Sequence, residues 1–185
     1  MKVKGESIKN TMQFVRDKFG DEGYEKWMQS MPRTSAELIS KNVLPSVWYP
    51  MKDGLLEPTK AMCEMFYNGD ARGAQDVGIY SADKSLHGVY KIFIKIASPD
   101  RLMKRAEQLF SSYYDPARIE LNKLSDRNYI VKFSEFDPPS PYIEHRVAGW
   151  IKKALEICGG NDIEIEVIQH ASNKNEFSKL LIKWQ

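Results

Sequence analysis

Apolar residues in the first two-thirds of the chain recur at helical spacing, whereas those in the last third alternate. Ile8, Met12, Val15 and Phe19 stand at i, i+4, i+7 and i+11, a stripe that predicts an amphipathic helix ended by Gly20. Tyr24, Trp27, Met28 and Met31 predict a second short helix, stopped by Pro32, and residues 35–41 allow another turn or two. Pro45-Ser-Val-Trp-Tyr-Pro50 is too proline-bounded for a helix interior and too apolar for a solvated loop, which predicts a buried extended link. Helices resume near Pro58, with Met62, Met65 and Phe66 as a core stripe, and Gly69 and Gly73 punctuate a segment carrying Val77 and Tyr80. Leu86, Tyr90, Phe93, Ile94 and Ala97 line one face of the most apolar helix. Ser98-Pro99-Asp100 then places an N-cap before a proline at the first helical position, a restart signal. The restarted helix carries Leu102, Ala106, Leu109, Phe110 and Tyr113 as far as Pro116.

Beyond Pro116 the period changes. Residues 118–124 and 129–134 are short, partly alternating runs joined by Ser-Asp-Arg-Asn, which predicts a hairpin. A helix over 142–158 follows with Ile143, Val147, Ile151 and Leu155 inward, and Gly159-Gly160 caps it. Ile163, Ile165 and Val167 alternate with Glu164 and Glu166, and Leu180, Ile182 and Trp184 share one face of a last strand. The fold class expected is α+β: a helical part over 1–115 packed on a four-stranded antiparallel sheet, with one helix between its two hairpins over 116–185. The 185 residues suit a single domain.

Composition narrows the function classes. Twenty-seven basic and 25 acidic residues leave a net charge of +2, with no long run of one sign. A nucleic-acid or membrane-surface binder would concentrate basic charge, so neither partner is expected. No stretch approaches the roughly 18 uninterrupted apolar residues of a membrane span. The opening MKVKGESIKN has no apolar segment behind its lysines, and Cys63 and Cys158 form no CxxC pair, so a cytoplasmic, reduced setting is expected.

Enzyme motifs are missing: there is no GxGxxG, P-loop, HExxH or GxSxG. His87, His145 and His170 are distant in sequence and on different predicted elements, which predicts no histidine metal cluster. Both cysteines read as small buried hydrophobes. His145-Arg146 and Lys152-Lys153 predict a solvated basic edge on the late helix. His87 admits two readings, a half-buried ring bonded to a carbonyl or an axial ligand to haem iron, with Gly88 removing bulk beside it. Eight Met, four Trp, nine Tyr and eight Phe fill a core, or in part line an adaptable apolar pocket to which Trp48, Tyr49, Met62 and Met65 would contribute.

Leu86-His87-Gly88-Val89-Tyr90-Lys91, with Pro99-Asp-Arg-Leu102 following, resembles the proximal-histidine helix and (S/T)-P-x-R-L turn of the H-NOX (haem–nitric oxide/oxygen binding) superfamily. The opening MKVKGESIKNTMQFVRDKFGDEGYEKW is similar to that family's first two helices, and the resemblance covers nearly the whole chain. Haem-binding members carry Tyr-x-Ser-x-Arg on the second strand to hold the haem propionates. The nearest match here, Lys132-Phe-Ser134-Glu-Phe136, keeps only the serine and loses the bidentate guanidinium. Val47-Trp-Tyr-Pro50 and His87-Gly-Val-Tyr-Lys91 also resemble a bacterial branch of the superfamily not known as haem proteins.

The resemblance implies a non-catalytic, haem-free sensory or binding module. Its small apolar or amphipathic ligand would sit between the helix of His87, Tyr90 and Phe93 and the sheet at Ser134, and a downstream signalling protein would read its occupancy. A haem gas sensor with His87 on the iron is the first alternative. An interaction scaffold with a filled core, self-associating as a homodimer or docking a partner, is the second.

Overall fold

The computed structural model describes residues 1–86, 98–116 and 118–185. Strand β1 (Lys2–Lys4) leads directly into helix α1 (Gly5–Ser30), which the apolar stripe foretold as two helices. The break falls at Gly20, whose φ of 72° and ψ of 178° leave the helical region, and the chain resumes its helix at once, so a kink stands where a stop was expected. Ile8, Val15 and Trp27 are fully buried, and the Trp27 indole Nε1 donates to the Pro58 carbonyl at 2.9 Å. Helix α2 (Arg33–Ser40) follows, ending in the link to β2 (Trp48–Pro50).

That link corrects an expectation. Only Trp48–Pro50 is extended, since residues 45–46 turn and Val47 bends; Pro45, Ser46, Val47 and Pro50 are exposed and Trp48 and Tyr49 only half-buried. The segment forms an edge of a small antiparallel sheet, ordered β2-β1-β3, whose third strand is β3 (Tyr114–Asp115). An edge position needs only one flank covered, which is why the segment is apolar without being enclosed.

A π-helical turn over Lys52–Leu56 precedes α3 (Glu57–Phe66), and a short 3-10 turn over Ala71–Gly73 precedes α4 (Ala74–Leu86). In α3 Met62 is fully buried but Met65 is 37% exposed, so Met65 leaves the expected core stripe. Ser98-Pro99 restarts the chain as foreseen in α5 (Pro99–Lys104). The helix then breaks at Arg105 (φ −104°, ψ 6°) and continues as α6 (Ala106–Ser111), where one helix was expected.

The second sheet holds strands β4 (Arg118–Ser125), β5 (Asn128–Ser134), β6 (Glu164–Gln169) and β7 (Ser178–Lys183), antiparallel in the order β4-β5-β7-β6. Its register stacks Leu121, Val131, Leu180 and Val167 in one row and Tyr129, Ile182 and Ile165 in the next. One apolar face results, as period-two sequence demands. Helix α7 (Pro141–Ile157) connects the hairpins and packs along α4. Two glycines permit that close crossing: a Cβ on Gly78 would overlap the Arg146 carbonyl oxygen, and one on Gly149 would overlap the Gln75 carbonyl oxygen. Among the described residues, no helix is long and apolar enough to cross a membrane.

Candidate ligand-binding site

Helices α5 and α6 lie over the space between α7 and the β4–β5 hairpin, and beneath them is an apolar cavity of about 50 Å³. Leu102, Met103, Leu109 and Phe110 form its roof, Ile119 and Val131 its sheet side, and Val147, Trp150 and Ile151 its α7 side. Tyr114 on β3, Ser7 on α1 and Ser81 on α4 complete the lining, whose one charge among the described residues is Arg146.

Arg146 overturns the expected solvated basic edge, being 2% exposed. The α4–α7 crossing turns its side chain toward α1 and α3, where Nη1 donates to Thr59 Oγ1 at 3.3 Å and Nη2 donates to the Ser7 carbonyl at 3.0 Å and to Ser81 Oγ at 3.2 Å. All three acceptors are neutral, and among the described residues no carboxylate pairs with the guanidinium. Burial pulls its pKa down to about 10, still well above neutrality, so the group is a buried cation. Burial raises the Tyr114 phenol, against the pull of the nearby guanidinium, so Tyr114 remains a neutral donor. Lys152 and Lys153 keep nearer the surface, Lys153 pairing with Asp83 at 3.4 Å and Glu156 at 3.6 Å.

Two residues earlier on α7, Glu144 is equally buried at 2% but surrounded by donors. Ser178 Oγ donates to its Oε1 at 2.6 Å, the Ala171 backbone N–H donates to the same atom at 3.0 Å, and His170 Nδ1 pairs with Oε2. The His170 ring centroid lies 6.0 Å from that of His145, whose Nδ1 faces Gln75 Nε2 at 3.3 Å. Burial, then the neighbouring His170, lowers the His145 pKa. Tertiary packing thus brings together two histidines expected to stay apart, yet no group of three metal-binding side chains forms among the described residues. A second, polar cavity of about 60 Å³ borders this cluster, lined by Ser134, Glu135, Glu144, Glu176 and Ser178.

The residues singled out from sequence scatter. Trp48 lies under Lys4 Nζ, 4.1 Å from the ring centroid, and the Tyr49 hydroxyl accepts from the Leu44 backbone N–H at 2.9 Å. Neither these nor Met62 and Met65 line the apolar cavity, and Ser134 lines the polar one. His87, Tyr90 and Phe93 lie outside the described residues. Cys63 and Cys158 are buried as expected, and burial raises their thiols to about 12 and about 11. Arg146 and Tyr114 were missed. The available signal was that Arg146 directly precedes Val147 and stands three residues after Ile143, at the edge of the inward stripe rather than opposite it.

A helical N-terminal part, a four-stranded sheet and one helix between two hairpins define an H-NOX-like fold. The chain superposes on an H-NOX protein from S. oneidensis in the Fe(II)NO ligation state with a TM-score of 0.75 at 12% identity, covering 98% of this chain and 99% of that one. It matches unliganded Fe(II) H-NOX from K. algicida at 0.74 and 13% identity, covering 98% and 96%. The IWP-051-bound H-NOX from Shewanella woodyi gives 0.68 and 14%, covering 97% and 93%. By sequence, the chain belongs to the family described as Protein of unknown function (DUF2378), whose model matches residues 85–185. No curated protein matches it.

The fold family implies haem, and the described residues do not fit one. Of the three positions aligned with the propionate motif, Lys132 pairs with Glu120 at 3.2 Å. Phe136 packs against the rings of Phe110, Tyr114 and Phe133, and Ser134 shares its cavity with three acidic residues. Carboxylates there repel propionates. The apolar cavity, at about 50 Å³, is smaller than the ~150 Å³ that holds a benzene ring.

Proposed function

We propose that this protein is a non-catalytic, haem-free sensory module that holds a small apolar or amphipathic ligand in the cavity beneath α5 and α6. The observation that carries this is the cavity itself: an apolar lining contributed by α5, α6, α7 and the sheet, converging on one buried cation. Ligand sites have this composition, apolar walls with few placed polar groups. Occupancy favours one packing of α5 and α6 over the sheet, and a partner protein that binds that packing reads the ligand as a population shift. The roof suits this role because α6 has no fully buried residue and the break at Arg105 divides it from α5.

The test is thermal denaturation of the purified chain against a panel of small neutral and charged amphipaths, with native mass spectrometry of the freshly isolated protein. Binders that raise the melting temperature in proportion to the logarithm of concentration support the reading. A chain that is always ligand-free and indifferent to the whole panel ends it. A Soret band in the isolated protein that disappears in His87→Ala replaces it with a haem sensor.

A further inference from the structure

We propose that the cavity takes a short-chain monocarboxylate, its head group paired with Arg146 and Tyr114 and its tail against Leu109, Phe110 and Ile151; this rests on reading the cavity as a ligand site. The argument starts from charge. A guanidinium removed from water is costly unless an anion faces it, yet among the described residues Arg146 meets only the neutral oxygens of Ser7, Thr59 and Ser81. Those three bonds engage Nη1 and Nη2, while Nε makes none among the described residues. Tyr114 lines the same cavity, and its hydroxyl likewise has no hydrogen bond among the described residues. A planar cation that no described carboxylate neutralises, beside a neutral phenol, is a donor set for one carboxylate.

The rest of the lining decides what the carboxylate is attached to. It carries no acidic side chain to oppose an anion and no second cation among the described residues, so a doubly charged phosphate would be left half-neutralised. Beyond the two donors the walls are aliphatic and aromatic, which suits an alkyl tail and rejects a polar one. A volume of about 50 Å³, against a water's share of roughly 30 Å³ and the ~150 Å³ that admits benzene, limits the tail to a few carbons.

The experiment is calorimetric and thermal-shift titration of the full chain with sodium propionate and sodium butyrate, at ionic strength held constant with chloride. Propionamide and n-propanol serve as neutral isosteres, and inorganic phosphate as the competing anion. Saturable propionate or butyrate binding, at least tenfold tighter than propionamide or phosphate and lost in Arg146→Met, is the expected result. Arg146→Lys, which keeps the charge but loses the fork, and Tyr114→Phe each weaken binding several-fold and supply the answer should Arg146→Met not fold. Equal responses to propionate and propionamide, or an unchanged response in Arg146→Met, overturn the carboxylate assignment while leaving the cavity as a ligand site. Indifference to every probe, n-propanol included, overturns the assignment and counts against the ligand site as well.

Discussion

Glu144 and Arg146 are two residues apart on one helix, equally buried and opposite in charge, and their surroundings could hardly differ more. Two residues on a helix are about 200° apart around its axis, so α7 delivers one charge to each of two neighbourhoods. On the sheet side, Glu144 collects a serine hydroxyl, a backbone amide and an imidazole, all from the β6–β7 connection and β7. Its burial is offset within the fold, and it works as a clasp holding that connection to α7. On the α4 side, Arg146 collects three neutral oxygens and faces an apolar cavity. Its burial is offset only in part. One buried charge is answered by donors from its own fold, whereas the other meets no carboxylate among the described residues.

Breaking the finished site produces the largest effect. Glu144→Ala strands the Ser178 hydroxyl, the Ala171 amide and His170, and is expected to cost about 3–5 kcal/mol, read as a large drop in denaturation midpoint. A loss under about 1 kcal/mol would place Glu144 with the incompletely satisfied charges. Gly149→Ala attacks the crossing that holds both sites. Its methyl group overlaps the Gln75 carbonyl oxygen, a backbone atom with nowhere to go, so the two helices must separate. Overpacking of this kind costs about 1–3 kcal/mol, partly relieved by alanine's better helix propensity, and denaturant titration measures it.

Arg146→Met is expected to change stability by about 1 kcal/mol or less in either direction, because it removes a buried charge that no described carboxylate compensates, along with three neutral hydrogen bonds. A loss as large as that of Glu144→Ala would erase the contrast. The smallest effect is a pH slope. His145 has its pKa held below the ordinary 6.5 by burial and then by His170, with Arg72 acting the same way and Glu144 and Asp70 opposing. In that window the unfolded chain binds more protons than the folded one, so this group's contribution is whole above 6.5 and is lost as pH falls through the lowered folded value. The same proton also removes the Nδ1 acceptor that faces Gln75. His145→Gln is expected to flatten the melting temperature between neutral and mildly acidic pH, and an unchanged slope would assign it elsewhere.

Period-two alternation made the large sheet legible. Ile163, Ile165 and Val167, and then Leu180, Ile182 and Trp184, name the inward faces of β6 and β7 without reference to anything distant. The stripe Ile143, Val147, Ile151, Leu155 did the same for α7, although Ile151 is only half-buried, at the cavity. Strands of two or three residues, such as β1 and β3, carry no period to detect, and they exist because they find each other across more than a hundred residues. The candidate site was harder to see. Trp48, Tyr49, Met62 and Met65 were chosen as residue types that line pockets, but type does not say which void a side chain faces. Arg146 was assigned to solvent because arginine is rarely buried.

By itself the sequence determined most of the longer elements, their apolar faces, the hairpin-helix-hairpin order and the mismatch to the propionate motif, since each depends on residues near one another along the chain. Only the tertiary structure decided which charges are enclosed, that two glycines let α4 and α7 meet backbone to backbone, and which residues line the cavity. Those outcomes depend on distances between residues 65 to 139 positions apart, as between Arg146 and Ser81 or Ser7. Local pattern cannot encode a neighbour that arrives only when the helices pack.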